Sequence, residues 1–196
     1  MRIKNYLSYS QFDTYRRSPA LYERIYINGQ KRHSKHMDFG KKIAEALKRG
    51  EGADLDEKLA ISLIPLAQEH EVEMMAQIED VPMKGYLDAL SIGESLAIID
   101  EHKTGTVPWD QARVDNADQL TIYAILVNKV LSIPLDEIKI RLSYLPTYED
   151  TDGKIHLVGE IKTFETERTM KHIINIYPQI EEVWYGIEKL IEKVCQ

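Results

Sequence analysis

One segment constrains the fold more than any other. Leu96-Ala97-Ile98-Ile99 is apolar at four consecutive positions, and Asp100-Glu101-His102-Lys103-Thr104-Gly105 follows at once. Side chains alternate along a strand, so apolar residues at odd and even positions alike mark a strand covered on both faces. A doubly covered strand needs helices on either side of its sheet, which points to an α/β architecture. Its charged end is the anomaly, because charge at the end of a buried strand is costly unless paired or bound to a metal.

The rest of the chain supplies the layers. Ser8 or Ser10 can cap a first helix running to about Arg17, and Ser18-Pro19 interrupts it before a second helical stretch from Leu21 to Ile27. The polar segment Asn28 to His36 reads as a loop. A helix from about Met37 to Lys48 ends at Gly50 and Gly52, and Asp54 with Glu57 makes a capping box for a helix through Ile64, closed by Pro65. Strands are expected over Glu69–Met75, Met83–Ile92 and Ser95–Lys103, then a helix over Asn116–Leu131. Ile138, Ile140, Leu142 and Tyr144 alternate along a further strand. Its partner carries Ile155, Leu157 and Ile161, with Asp152-Gly153 as the turn between them. The stripe Ile180, Val183, Trp184, Ile187, Ile191, Val194 predicts a final helix. The expected organisation is one domain over 1–196: a helical part over 1–65, a sheet and helix over 66–163, and a C-terminal helix over 164–196.

Charge is unevenly spread. The net charge is −7, yet residues 1–50 hold 12 Lys+Arg against 4 Asp+Glu, and seven of the sixteen aromatics. Cations track phosphates and aromatic faces stack on unpaired bases, so this region is either a platform for DNA ends or single strands, or an amphipathic helical region whose aromatics fill the core. Ser10, Tyr15, Arg16, Arg17, Lys41 and Lys42 are its candidate nucleic-acid contacts. The single cysteine, Cys195, excludes an internal disulfide and a cysteine-ligated cluster. No apolar run reaches the roughly 18 residues of a membrane span, and the N-terminus lacks the apolar stretch of a signal peptide, so a reducing, cytoplasmic setting is expected.

Glu101 and Lys103 share one face of their strand. If the preceding strand, with Gly85-Tyr86-Leu87-Asp88, pairs with it around Gly93-Glu94, Asp88 comes beside Glu101. A surface Glu–Lys pair or an Asp in a turn would explain each residue alone. Together at the end of an apolar strand, two carboxylates and a lysine fit phosphodiester hydrolysis with Mg²⁺ or Mn²⁺. Gln119 and Tyr123 lie four apart on the next helix, on one face of it. His33 and His36 read as members of a polar loop, and Glu69, Glu71 and Glu73 as a solvated strand face. A phosphate-cradling Gly-Lys-Ser/Thr loop is absent, and so is a Ser-His-Asp nucleophile motif.

In order and spacing, Gly85-Tyr86-Leu87-Asp88, Glu101-His102-Lys103-Thr104-Gly105 and Gln119-Leu120-Thr121-Ile122-Tyr123 resemble the successive motifs of RecB-like nucleases of the PD-(D/E)XK superfamily. The opening Leu7-Ser8-Tyr9-Ser10-Gln11-Phe12 with Ser18-Pro19 is similar to that family's N-terminal helical motif. The resemblance implies a restriction-endonuclease-like αβββαβ core and a DNA exonuclease of phage or bacterial recombination, repair or replication. A recombination or replication protein as partner, and an oligomer, are compatible with it. Asp88, Glu101 and the main-chain carbonyl of His102 would hold the metal, Lys103 would be the catalytic lysine, and Gln119 and Tyr123 would support the site or contact DNA. Two positions depart from the pattern. Relatives commonly carry a histidine four residues after the glycine of the helix near Met37; counted from Gly40 this is Ala44, with Glu45 next to it as a substitute oxygen ligand. Ser18 stands where iron–sulfur relatives carry a cysteine, so no cluster is expected. An inactive DNA-binding module of the same fold, or an endonuclease with the same centre, are the alternatives.

Overall fold

The computed structural model describes residues 5–30 and 33–194. Cys195 and part of the expected loop Asn28–His36 therefore lie outside the described residues. The chain folds as an α/β protein around a seven-stranded mixed sheet flanked by helices.

Local signals set the helices. Helix α1 (Tyr9–Arg17) starts at Ser8, whose hydroxyl accepts from the Gln11 N–H. Ser18 ends α1 and caps α2 (Pro19–Tyr22), with Pro19 in the first turn, where its missing N–H costs nothing. The chain continues as one widened π turn over Glu23–Ile27. Helix α3 (Lys35–Arg49) is capped by Ser34 and stopped by Gly50 at φ 70°. Helix α4 (Leu55–Leu63) is capped by Asp54, and Glu57 reaches back to the Ala53 N–H at 2.8 Å.

The short strand β1 (Leu7–Ser8) precedes α1. The long strands are β2 (Glu69–Ile78), β3 (Val81–Ile92), β4 (Ala97–Gly105) and β5 (Ile138–Glu149). Strand β2 runs antiparallel along one edge of β3. The other edge is divided: β4 pairs with it only from Ala89 to Ile92, and β1 pairs in parallel with Met83 and Lys84. Strand β4 then runs parallel to β5 from Ala97↔Ile138 to Gly105↔Pro146. Helices α5 (Gln111–Asp115) and α6 (Asp118–Leu131) form the crossover between them.

Two expectations change here. Strand β6 (Ile155–Leu157) is short; Ile161 falls outside it, because the chain turns at Gly159, φ 93°. Lys162–Glu167 is a strand, β7, on the remaining edge of β5, so helix α7 (Met170–Val194) begins at 170 rather than 164. Strand β7 has no buried position and one apolar residue, Phe164, so no hydrophobic alternation announces it.

The main core packs α6, α7 and α1 on the sheet, with Ile99, Ile140 and Leu142 meeting Leu120, Ile122, Ile180 and Phe12. A second cluster forms where Phe39, Ile43, Leu47 and Ala60 of α3 and α4 cover Leu145, Ile155 and Leu157. The neighbours Tyr144 and Leu145 enter different clusters, so β5 is covered on both faces. Among the described residues no helix is long and apolar enough to cross a membrane.

Candidate active site

The divided edge of β3 creates the site. Strand β4 leaves β3 beyond the pair Ala89↔Asp100, and Asp88 sits at the fork. One more step of the same register sets Asp88 opposite Glu101. The His102 main-chain N–H, with β3 gone from its side, donates instead to Asp88 Oδ2 at 2.7 Å. The buried alternation of β3 also shifts phase here: Leu87 and Leu90, three apart, both enter the core. Upstream, a Cβ on Gly85 would lie 2.5 Å from Leu126 Cδ1 and 3.2 Å from the Tyr123 ring. Glycine at 85 thus lets α6 approach the sheet, which brings Gln119 and Tyr123 over β4.

Glu101 is 1% exposed. Its Oε1 accepts from Lys103 Nζ and, at 2.8 Å, from Gln119 Nε2, while its Oε2 is buried with no partner among the described residues. Gln119 Oε1 accepts from Lys103 Nζ at 2.9 Å, and Gln119 Nε2 also reaches the Tyr123 hydroxyl at 3.0 Å. Burial, reinforced by the Asp88 charge, pushes the Glu101 carboxyl up to about 7, against the opposing pull of Lys103 and Gln119. Burial alone would lower Lys103, but the Glu101 and Asp88 carboxylates outweigh it and raise its pKa. Burial, then the Glu101 charge, raises the Tyr123 phenol. Asp100 takes no part: its carboxylate is bound in a two-pronged ion pair with Arg141.

Two cavities meet at Lys103. One, of about 460 Å³, is lined by Asp88, Glu101, His102 and Gln119 on the sheet side, and by His36, Gly40, Lys41 and Ala44 of α3. The other, of about 690 Å³, continues past Thr104 to Tyr9, Arg17, Trp109 and Arg113. Helix α3 comes close at Gly40, where a Cβ would stand 3.1 Å from Thr104 Oγ1.

Asp88, Glu101, Lys103, Gln119 and Tyr123 are therefore brought together, with the His102 main chain beside them. Glu45 is not. It lies outside both cavities, about half exposed and 3.9 Å from Lys41, because it follows Ala44 by one residue and so turns about 100° away around α3. Of the nucleic-acid candidates, Arg17 and Lys41 line the cavities. Ser10 is exposed elsewhere on α1, Arg16 pairs with Asp118, and Lys42 pairs with Asp54 at 2.5 Å on the far side of α3. Tyr15 is committed to packing: a Cβ on Gly186 of α7 would stand 2.4 Å from its hydroxyl, and its ring meets Tyr22 edge-on. Phe12, Tyr22 and Phe39 are buried, so for most of the N-terminal aromatics the core reading holds. Tyr9, Trp109 and Arg113 line the cleft without having been singled out as site residues from sequence; His36, read there as part of a polar loop, instead lies in the first turn of α3, one turn before Gly40, and lines both cavities.

A divalent cation fits this donor set on two observations. The buried Glu101 Oε2 lacks any partner among the described residues, and the Asp88 charge disfavours the Glu101 carboxylate in a way that a cation between them would relieve. Among the described residues no three His, Cys, Asp or Glu side chains converge to hold a metal, so a main-chain carbonyl, waters and substrate oxygens would complete the shell.

No family model and no curated protein matches the chain. Solved structures do match. A protein from Eubacterium rectale described as a "putative exonuclease" aligns over 95% of this chain and 81% of its own, at 12% identity and TM-score 0.62. The protein SSO0001 aligns over 94% and 78% respectively, at 17% identity and TM-score 0.51. At such identities the likeness shows the fold, and the arrangement is compatible with a restriction-endonuclease-like core.

Proposed function

We propose that the chain is a metal-dependent nuclease of the RecB-like exonuclease type, hydrolysing phosphodiester bonds at DNA ends in recombination, repair or replication. The observation that carries this reading is the convergence of Asp88, Glu101, Lys103 and Gln119 at the β3–β4 fork, beside an open cleft. The exonuclease description of the Eubacterium rectale protein, and the motif order in the sequence, support it.

In this reading Asp88, Glu101 and the His102 carbonyl hold Mg²⁺ or Mn²⁺. The chemistry supplied there would be Lewis-acid activation of the phosphate and of water. Lys103 would donate to the phosphate or orient the attacking water. Gln119 holds both Lys103 and Glu101 in place, and Tyr123 fixes the Gln119 amide.

The test is cleavage of end-labelled linear DNA beside a closed circle in Mg²⁺, Mn²⁺ and EDTA. Metal-dependent loss of the linear form alone, abolished by Glu101→Gln, is the expected result; cutting of the circle would make the chain an endonuclease. Lys103→Ala should slow cleavage by roughly 100-fold or more while a Mg²⁺-dependent rise in melting temperature persists. One observation favours a second reading, an inactive DNA-binding module: Ala44 lines the cavity without offering a ligand. Metal-independent DNA binding with no cleavage in any metal would establish it.

A further inference from the structure

The larger cavity extends beyond the catalytic residues to a feature that the cleavage chemistry does not use. The Arg113 guanidinium carbon lies 3.8 Å from the centre of the Trp109 ring. Both residues line the same cavity as Lys103 and Gln119. The pair is built in place: Asp110 caps α5 through the Arg113 N–H at 2.7 Å, Trp109 packs on the core, and Arg113 also donates to the Pro108 carbonyl at 3.1 Å.

Charge singles out Arg113. The charged residues lining this cavity are Asp13, Arg17, Lys103, Arg113 and Asp118. Asp13 pairs with Arg17, Asp118 with Arg16, and Lys103 with Glu101. Among the described residues Arg113 has no carboxylate partner. It is thus the cavity's uncompensated cation, held against an indole, at the end of a cleft that leads to the candidate scissile position. A guanidinium on an aromatic ring offers a flat surface for a nucleobase and donors for a phosphate at once. Bases stacked in a duplex do not present that face, so such a surface selects unpaired nucleotides.

We infer that Trp109 and Arg113 form a stacking site for an unpaired DNA strand, which leads the substrate backbone along the cleft to Lys103. The inference rests on the nuclease reading for its substrate and adds strand choice to it. Val107, exposed in the loop just before Trp109 and lining the same cavity, gives the neighbouring base an apolar contact.

The chain has two tryptophans. In a Trp184→Phe background the emission reports Trp109 alone. Oligothymidylate, added in EDTA so that no cleavage occurs, should quench that emission saturably, and a hairpin-capped duplex of equal charge should not. Arg113→Ala should weaken single-strand affinity roughly tenfold, the value of one base–side-chain stack, and Arg113→Lys should restore only part of it. Arg113 is exposed, so these variants leave the core intact. Unchanged Trp109 emission while a labelled strand binds by anisotropy, equal quenching by duplex, unchanged affinity in Arg113→Ala, or no strand binding at all would overturn the site. Cleavage of linear DNA in Mg²⁺ by the unaltered chain decides the nuclease reading separately: a chain that cuts without a Trp109 response loses this site alone, and one that responds without cutting loses the nuclease reading alone.

Discussion

Glu101 is the residue at which structure and chemistry oppose each other. Its carboxyl titrates near 7 instead of 4.5 because burial and Asp88 both disfavour its charge. Between those values the folded chain holds a proton that the unfolded chain has released, so the metal-free protein loses stability as pH rises through this window. Glu101→Gln should therefore be more stable than the parent in EDTA at pH 8, by on the order of 1–3 kcal/mol, with the gain shrinking as pH falls and vanishing only below the ordinary carboxyl value of 4.5. Thermal melts across pH measure this; an equal effect at both ends would mean that the carboxylate carries no penalty. Mg²⁺ should reverse the ranking, because it stabilises only a chain that binds it. The sequence made Glu101, Lys103 and Asp88 readable through strand parity and hairpin register. It could not show that Glu45 turns away, since a one-residue offset on a helix is decided by how α3 is rotated against β4. Nor could it show the paired charges that leave Arg113 alone, because Arg16 meets Asp118 across 102 positions of chain.

At the scale of elements, α6 is placed by two contacts remote from the chemistry. Gly85 admits it to the sheet, and Arg168, 3% exposed, ties its start: Nε donates to Thr121 Oγ1 at 2.8 Å, and Nη2 to the Val114 and Ala117 carbonyls at 3.0 and 3.3 Å. Gly85→Ala should force Leu126 and Tyr123 outward, costing roughly 1–3 kcal/mol by overpacking and lowering cleavage through displaced Gln119. Arg168→Met should cost about 3 kcal/mol, since it strips bonds from a charged donor and leaves buried carbonyls unpaired. Urea denaturation with parallel activity assays checks both; an unaffected Gly85→Ala would mean that the helix is not held at this approach. Elements with a buried face were legible from pattern alone, as in β3, β4 and α6. Strand β7 was not, because an exposed edge strand obeys no hydrophobic period. Helix α5 was not, because its five residues carry one buried side chain, Val114.

Across the whole molecule, the basic N-terminal quarter offers DNA less than its composition implies. Arg16, Lys35, Lys42, Lys48 and Arg49 each pair with a carboxylate from the acidic remainder of the chain. At the cleft Arg17, Lys41 and Lys103 are paired as well and, among the described residues, Arg113 is not, so the affinity for single strands should fall with salt only shallowly, at a slope of about −1 on logarithmic axes, as one or two neutralised phosphates require. Anisotropy over a salt series measures it, and a much steeper slope would place the contact surface elsewhere. The divided edge of β3 has a mechanical meaning as well. Strands β1, β2 and β3 on one side, and β4, β5 and β7 on the other, are two half-sheets stitched by four residue pairs, Ala89–Ile92 with Ala97–Asp100. The short strands β1 and β6 aside, no neighbouring strands among the described residues are joined by fewer pairs. Asp88 stands on one half and Glu101 on the other, so under the proposed function an ion gripped by both would rivet the seam it sits in, and the event that readies the centre would close a narrow join.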